Sequence, residues 1–373
     1  MTSNEKLTVM FLVLLTLALV ASSDTIKGLL TESVTLPNQG VVGAVEDGME
    51  LHADGRWIKD SLGRTVHLRG VNKGGYNNYQ TGRWQAEGEM SYGGQLEFRE
   101  SAVHFQMNHL RNVWGINCMR WTLCCEWWVN DLNNYRYNIR RAVEIAQEYG
   151  IYIILAPWRV TDAIGYVRDP FIDWTPQQLV DFWLSVMSEL GHCPNIIIDP
   201  FNEPLSDTTT WQNFMQQLIN AIRGAGYEHI ILYQWGYGAG PNRRLVDWFD
   251  QYPITDPSEN LVISTHTYGN AEGYAWTNQD DYTSLKAQLE TAQYKDVGDV
   301  LNMPLLIGET GGRDGEQQFF SNLLQIFNEW GIGYIPWILF PGGGYPLIEN
   351  ELYFPPPTWR GQTLIDAISA GSP

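Results

Sequence analysis

Eight short runs rich in aliphatic and β-branched residues recur along this chain, and their rhythm limits the possible folds more than any other feature. They are Thr65–Val71, Ile116–Trp121, Ile151–Ala156, Ile196–Phe201, His229–Gln234, Leu261–Thr267, Pro304–Ile307 and Tyr334–Leu339. Several are near-continuous apolar runs, as expected of parallel strands buried on both faces. Amphipathic helical patterns lie between them. In Asn133–Tyr149, residues Ile139, Ala142, Val143 and Ala146 follow the i, i+3, i+4, i+7 spacing, and Gly150 suits a C-terminal cap. Thr175-Pro176 opens another helix, with Thr175 as the cap and Pro176 in the first turn. Eight strands with helical crossovers predict an α/β fold, a (β/α)8 TIM barrel. The rival is an open doubly wound sheet, which calls for a glycine-rich phosphate turn after an early strand. No G-x-G-x-x-G stands there, and no P-loop occurs anywhere.

Residues 51–373 are read as one catalytic domain, a length that a barrel tolerates as a single unit. Ahead of it, residues 8–21 are apolar, follow Lys6, and lead into Ala21, Ser22 and Ser23. That stretch is too short for a comfortable membrane span, so residues 1–23 are expected to be a secretory signal or an N-terminal anchor. Secretion, or tethering at the cell surface, follows. Residues 24–50 are read as a tether or N-terminal extension.

The chain carries 23 Lys+Arg against 42 Asp+Glu, a net charge of -19. Such a surface is unsuited to neutralising phosphates, which argues against nucleic acid and against anionic membranes beyond the N-terminal anchor. A neutral or cationic substrate fits better. The 16 Trp and 19 Tyr supply flat apolar platforms that can stack on sugar rings. A monomer is expected.

In a barrel of this kind, catalytic groups stand at the C-terminal ends of strands. The fourth run ends in Asp199-Pro200-Phe201-Asn202-Glu203-Pro204, and the seventh in Leu306-Ile307-Gly308-Glu309-Thr310. Each puts a carboxylate at the barrel mouth. Glycoside hydrolysis needs such a pair: one acid protonates the departing oxygen, and the other carboxylate attacks the anomeric carbon. The ionised partner is expected to raise the pKa of the acid. His266 and Tyr268 lie two apart on the sixth run, so both side chains point the same way. Arg120 closes the second run and Trp337 lies on the eighth.

These strand ends resemble glycoside hydrolase family 5, the cellulase-type retaining barrels. The resemblance runs from Leu68-Arg69-Gly70-Val71-Asn72 to about Trp337, with Asn202-Glu203-Pro204 and Gly308-Glu309 as its strongest elements. It implies Glu203 as general acid/base and Glu309 as nucleophile. It implies Asn202 as donor to the sugar 2-hydroxyl, Tyr268 and Arg120 as the groups that orient Glu309 and hold it ionised, His266 as a lining residue near Glu203, and Trp337 as a sugar platform. No cofactor and no metal are implied. The implied activity is a retaining endo-β-1,4-glucanase acting on cellulose-type polysaccharide. The alternatives are a β-mannanase or other hemicellulase of the same family and, in another class, a non-catalytic polysaccharide-binding barrel.

One position departs from the family pattern. After the third run, where an Asp-x-His is usual, the chain reads Leu155-Ala156-Pro157-Trp158-Arg159. Trp158 replaces a hydrogen-bonding residue by a stacking surface, and it reads either as a subsite aromatic or as plain packing. Trp235 and Tyr233 after the fifth run, Tyr76, Tyr79 and Trp84 after the first, and Tyr274 and Trp276 after the sixth are further candidates for a cleft lining. Cys118, Cys124, Cys125 and Cys193 form no C-x-x-C pattern, and their pairing is not legible. Asp280-Asp281 is at most a weak calcium signal.

Overall fold

The computed structural model describes residues 48–73, 100–131, 134–161, 165–205, 208–234, 244–340, 344–349 and 356–371. The segment 1–23, most of 24–50, and Tyr76, Tyr79, Trp84 and Trp235 lie outside the described residues. Among the described residues no helix is long and apolar enough to cross a membrane.

A two-stranded antiparallel hairpin, β1 (Leu51–Asp54) and β2 (Trp57–Asp60), comes first. The barrel strands follow: β3 (Gly70–Lys73), β4 (Cys118–Cys124), β5 (Tyr152–Thr161), β7 (Ile196–Ile198), β8 (Ile231–Gln234), β9 (Leu261–Tyr268), β10 (Leu305–Gly311) and β11 (Gly333–Pro336). A short β6 (Gly165–Val167) turns back antiparallel on the end of β5. The eight barrel strands pair in parallel, in the order β11-β10-β9-β8-β7-β5-β4-β3. The ring closes where Arg69 bridges Tyr334 and the Tyr334 N–H donates to the Leu68 carbonyl at 2.9 Å. This is a (β/α)8 TIM barrel.

The strand alternation sorts side chains into two cores. Ile154, Ile197, Leu232, Val262, Leu306 and Ile335 point into the barrel, and there Met49, Leu51 and Ile58 of the N-terminal segment pack against them. The hairpin therefore plugs the barrel floor. Their neighbours Ile153, Ile196, Ile231, Ile263 and Ile307 point outward into the helical layer, as a period of two requires. Each such side chain contributes roughly 1.5–3 kcal/mol on burial.

The helical patterns fold as their spacing predicts. The helix Tyr135–Glu148 buries Ile139, Ala142, Val143 and Ala146, and Gly150 takes the left-handed φ of 65° that ends it. In the helix Pro176–Leu190, Thr175 and Gln178 form a reciprocal capping box ahead of Pro176. Several run boundaries move, and the first and last runs show why. The first strand begins at Gly70 rather than Thr65, because residues ahead of it pair with the hairpin instead: Val66 N–H donates to Ile58 O at 2.8 Å. The last ends at Pro336, which has no N–H to extend a ladder.

Candidate active site

Strand β7 is short, and the chain leaving it is pinned until it reaches Glu203. Asp199 N–H donates to Leu155 O at 3.0 Å and Asn202 N–H to Pro157 O at 3.1 Å. The Trp183 indole donates to Pro200 O at 3.0 Å. Glu203 then has φ of 44°, a left-handed conformation that costs a residue with a side chain about 1–2 kcal/mol. Its N–H is held by Gln234 Oε1 at 2.7 Å. Strain of this kind gathers at functional sites, where the surroundings over-determine it. Glu309 lies on β10 at a register irregularity against β9. A Cβ on the preceding Gly308 would stand 3.0 Å from Ser264 Oγ and 3.3 Å from His266 Nε2, so glycine makes room for both side chains.

The two carboxylates meet. His266 Nδ1 is 3.0 Å from Glu203 Oε1 and 3.4 Å from Glu309 Oε2. The facing atoms of Glu203, His266 and Glu309 all lie within 4.8 Å of one another. Tyr268 Oη donates to Glu309 Oε2 at 2.8 Å, from the same face of β9 as His266. Arg120 is not at a strand end: β4 continues to Cys124, and the guanidinium is wholly buried beneath the mouth. It donates to Glu309 Oε1 at 2.7 Å, Asn202 Oδ1 at 2.7 Å, Asn72 Oδ1 at 3.0 Å and Asp199 Oδ2 at 2.8 Å. Arg168, just beyond β6, reaches Glu203 Oε2 at 3.4 Å.

Electrostatics separate the pair, though not as the sequence suggests. Burial lifts Glu309 above the usual glutamate value against the attraction of His266 and Arg120, and the charge of Glu203 adds to the lift. Burial acts on Glu203 in the same direction, but a hydrogen bond from His266, positive charge on that ring and Arg168 together outweigh it and draw Glu203 down. The expected raising of Glu203 is therefore corrected: its carboxyl is held below the ordinary glutamate value. Burial and the neighbouring carboxylates push the Tyr268 phenol well up, so it remains a donor. Among the described residues this trio is the one His/Cys/Asp/Glu group with metal-holding spacing. Its carboxylates already face Arg120, Arg168, Tyr268 and His266, a donor shell better matched to anions than to a cation.

Most of the residues singled out in the sequence converge here, and some do not. Trp158 stacks on Trp337, with centroids 5.8 Å apart and planes 8° from parallel. Tyr233 is core: it is buried against Trp248, and its hydroxyl donates to Tyr252 O at 2.9 Å. Trp276 is buried and donates to Tyr268 O at 2.9 Å, and Tyr274 donates to His266 O at 2.8 Å. These aromatics support β9 rather than line a cleft. The four cysteines are free and buried, and burial pushes Cys124 up to about 12 and Cys193 to about 11. Asp281 caps the helix Tyr282–Thr291, and Asp280 accepts from Phe319 N–H at 3.1 Å, so both acids have structural partners. Asn72, Asp199, Gln234 and Arg168 were missed as site residues. For the first three a signal existed: each is a polar residue closing an apolar run.

The chain matches the family described as Cellulase (glycosyl hydrolase family 5) over residues 85–342. It is 26% identical over 238 residues to the beta-mannanase/endoglucanase A of Caldicellulosiruptor saccharolyticus, covering 60% of this chain and 16% of that one. It is 24% identical over 193 residues to a mannan endo-1,4-beta-mannosidase of Cellvibrio japonicus, covering 48% and 39%. The chain thus spans well under two thirds of either relative. Its fold superposes on a beta-glucanase from Saccharophagus degradans in complex with cellotetraose, with a TM-score of 0.65, 20% identity, and 87% and 94% of the two chains covered. A beta-mannanase from Streptomyces thermolilacinus superposes with a TM-score of 0.60 at 19% identity, covering 86% and 95%. With its family match extending over well more than half its length, on a barrel that carries two facing carboxylates, this chain belongs to glycosyl hydrolase family 5.

Proposed function

We propose that this protein is a retaining endo-β-1,4-glycan hydrolase, with Glu203 as acid/base and Glu309 as nucleophile. One observation carries the reading: the facing carboxylate atoms lie within 4.8 Å. Retaining glycosidases hold their pair at ~5–5.5 Å, whereas inverting ones need ~6.5–9.5 Å to admit a water. The roles follow from the donors. Arg120 never surrenders its proton, and the Tyr268 phenol is held protonated, so both oxygens of Glu309 accept. With both oxygens of Glu309 taken up by these donors, the proton that the pair shares is assigned to Glu203. Glu309 attacks the anomeric carbon while Glu203 protonates the leaving oxygen. Glu203 then deprotonates the water that releases the sugar from Glu309, and configuration is retained. Asn202, its oxygen fixed by Arg120, turns its NH2 toward the 2-hydroxyl, and Trp337 underlies the sugar.

The substrate favoured by the aromatic platform is a β-1,4-glucan, cut internally by a secreted or surface-tethered enzyme. A β-1,4-mannan is the second reading, supported by the names of both curated relatives. Soluble glucans and mannans offered to the wild type, E203Q and E309Q test both. Loss of activity by about 100-fold or more is expected in each variant, and full activity in either removes its assigned role. A fluorinated mechanism-based glycoside should label Glu309, and labelling elsewhere overturns the nucleophile assignment. Culture-medium recovery of the expressed chain tests secretion.

A further inference from the structure

Gln234, the last residue of β8, is buried and touches neither carboxylate side chain, yet it joins the two halves of the site. Its Oε1 accepts from the Glu203 N–H at 2.7 Å, and its Nε2 lies 2.6 Å from His266 Nε2. A backbone N–H can only donate, so the amide oxygen must face Glu203 and the NH2 must face the ring. An NH2 can only donate, so Nε2 of His266 must present a lone pair. The ring proton then resides on Nδ1, the atom 3.0 Å from Glu203 Oε1 and 3.4 Å from Glu309 Oε2. The bonds form a closed circuit from the main chain of Glu203 through Gln234 and His266 back to the carboxylate of Glu203. The Trp211 indole anchors the Gln234 carbonyl at 2.8 Å, and Gly308 leaves the ring its space.

We infer that Gln234 is a positioning residue that fixes His266 as the neutral Nδ1–H tautomer and so keeps positive charge out from between the two carboxylates. The inference rests on Glu203 being the acid. A cationic ring at this place draws the Glu203 carboxyl down and deprives the leaving group of its proton. A neutral ring keeps the hydrogen bond and removes that charge. The groups that face His266 are Glu203, Glu309 and Asp199, with Arg120, Arg168 and Tyr268 behind the carboxylates. Gln234 is the neighbour that dictates which ring nitrogen is bare.

The test uses the full chain with 15N-labelled histidine, the His266 signals being assigned by their loss in H266Q. In the wild type near neutral pH one protonated and one bare ring nitrogen are expected; two protonated nitrogens overturn the inference. Q234E replaces the donor by an acceptor, and a second protonated nitrogen is expected. Q234M removes the partner, and exchange between the two tautomers is expected. A wild-type-like pattern in whichever variant folds overturns the inference. The second readout compares two aryl glycosides with one glycone. Q234E should lose about 100-fold in kcat/KM on the poor leaving group, which needs the acid, and change little on the dinitrophenyl glycoside, which does not. Equal losses on both overturn the assignment. If the wild type cleaves neither compound, the hydrolase reading fails, while the nitrogen signals still decide the tautomer.

Discussion

At the scale of single residues, the site is organised around one guanidinium. Arg120 engages Asp199, Glu309, Asn72 and Asn202 while fully buried. A buried charge that loses its partner is far costlier than the pair is favourable, by about 3–5 kcal/mol. R120M is therefore expected to lose about that much stability by urea unfolding, because the buried carboxyls of Asp199 and Glu309 would both lose their cation. A loss under about 1 kcal/mol would show that the network is not the keystone of the site. Glu309 supports a second prediction. Its carboxyl is raised by burial, so on acidification it takes its proton above the ordinary glutamate value of 4.5. The acid limb of kcat/KM, which reports the free enzyme, should fall above pH 4.5, and a limb at or below that value contradicts the assignment. Glu203 and Glu309 were legible because a carboxylate that ends an apolar run has one place to go in a barrel. Gln234 also closes an apolar run, but its role was not legible, since it depends on a histidine 32 residues away, and no local pattern encodes that distance.

At the scale of elements, strand ends were readable and their continuations were not. Pro157 interrupts the third run in sequence, yet β5 passes through it to Thr161 and folds back as β6. That hairpin delivers Arg168 to Glu203. The same extension puts Trp158 against Trp337 from the far side of the barrel mouth. With centroids 5.8 Å apart, the two rings are too close to admit a sugar between them, and Trp158 packs against Trp337. Trp158, where the family pattern has a histidine, thereby braces the Trp337 ring. An aromatic pair contributes about 0.5–1.5 kcal/mol beyond its buried area, so W158A is expected to raise KM for oligosaccharides roughly 2- to 12-fold with the fold intact. Unchanged KM in a stable variant would reduce Trp158 to packing.

At the scale of the whole molecule, charge and burial act together on stability. With 42 acidic and 23 basic side chains, self-repulsion grows as the pH rises above the pI near 4.7. Asp199 and Glu309 add to this trend. Burial raises both, so holding them ionised costs stability once the pH passes their ordinary values. Asp256 has the opposite sign. Burial would raise it, but Arg223, in two bonds at 2.8 and 2.7 Å, and the N–H groups of Ser258 and Asn260 hold it below 3.8. Its stabilisation is therefore complete above pH 3.8 and is lost as the pH falls through its lower folded value. Together these effects favour mildly acidic over alkaline solution. D256N isolates the acid side. Relative to wild type it should be destabilised by about 3 kcal/mol near neutral pH, because Arg223 loses its buried partner. The difference should stay level down to about pH 4 and shrink below it, as the wild-type carboxyl takes up its own proton. Thermal unfolding of both proteins across that range reads the difference directly. A gap that widened on acidification would mean that Asp256 is not held ionised by the fold, and that the lower edge of the stability range is set by other carboxylates.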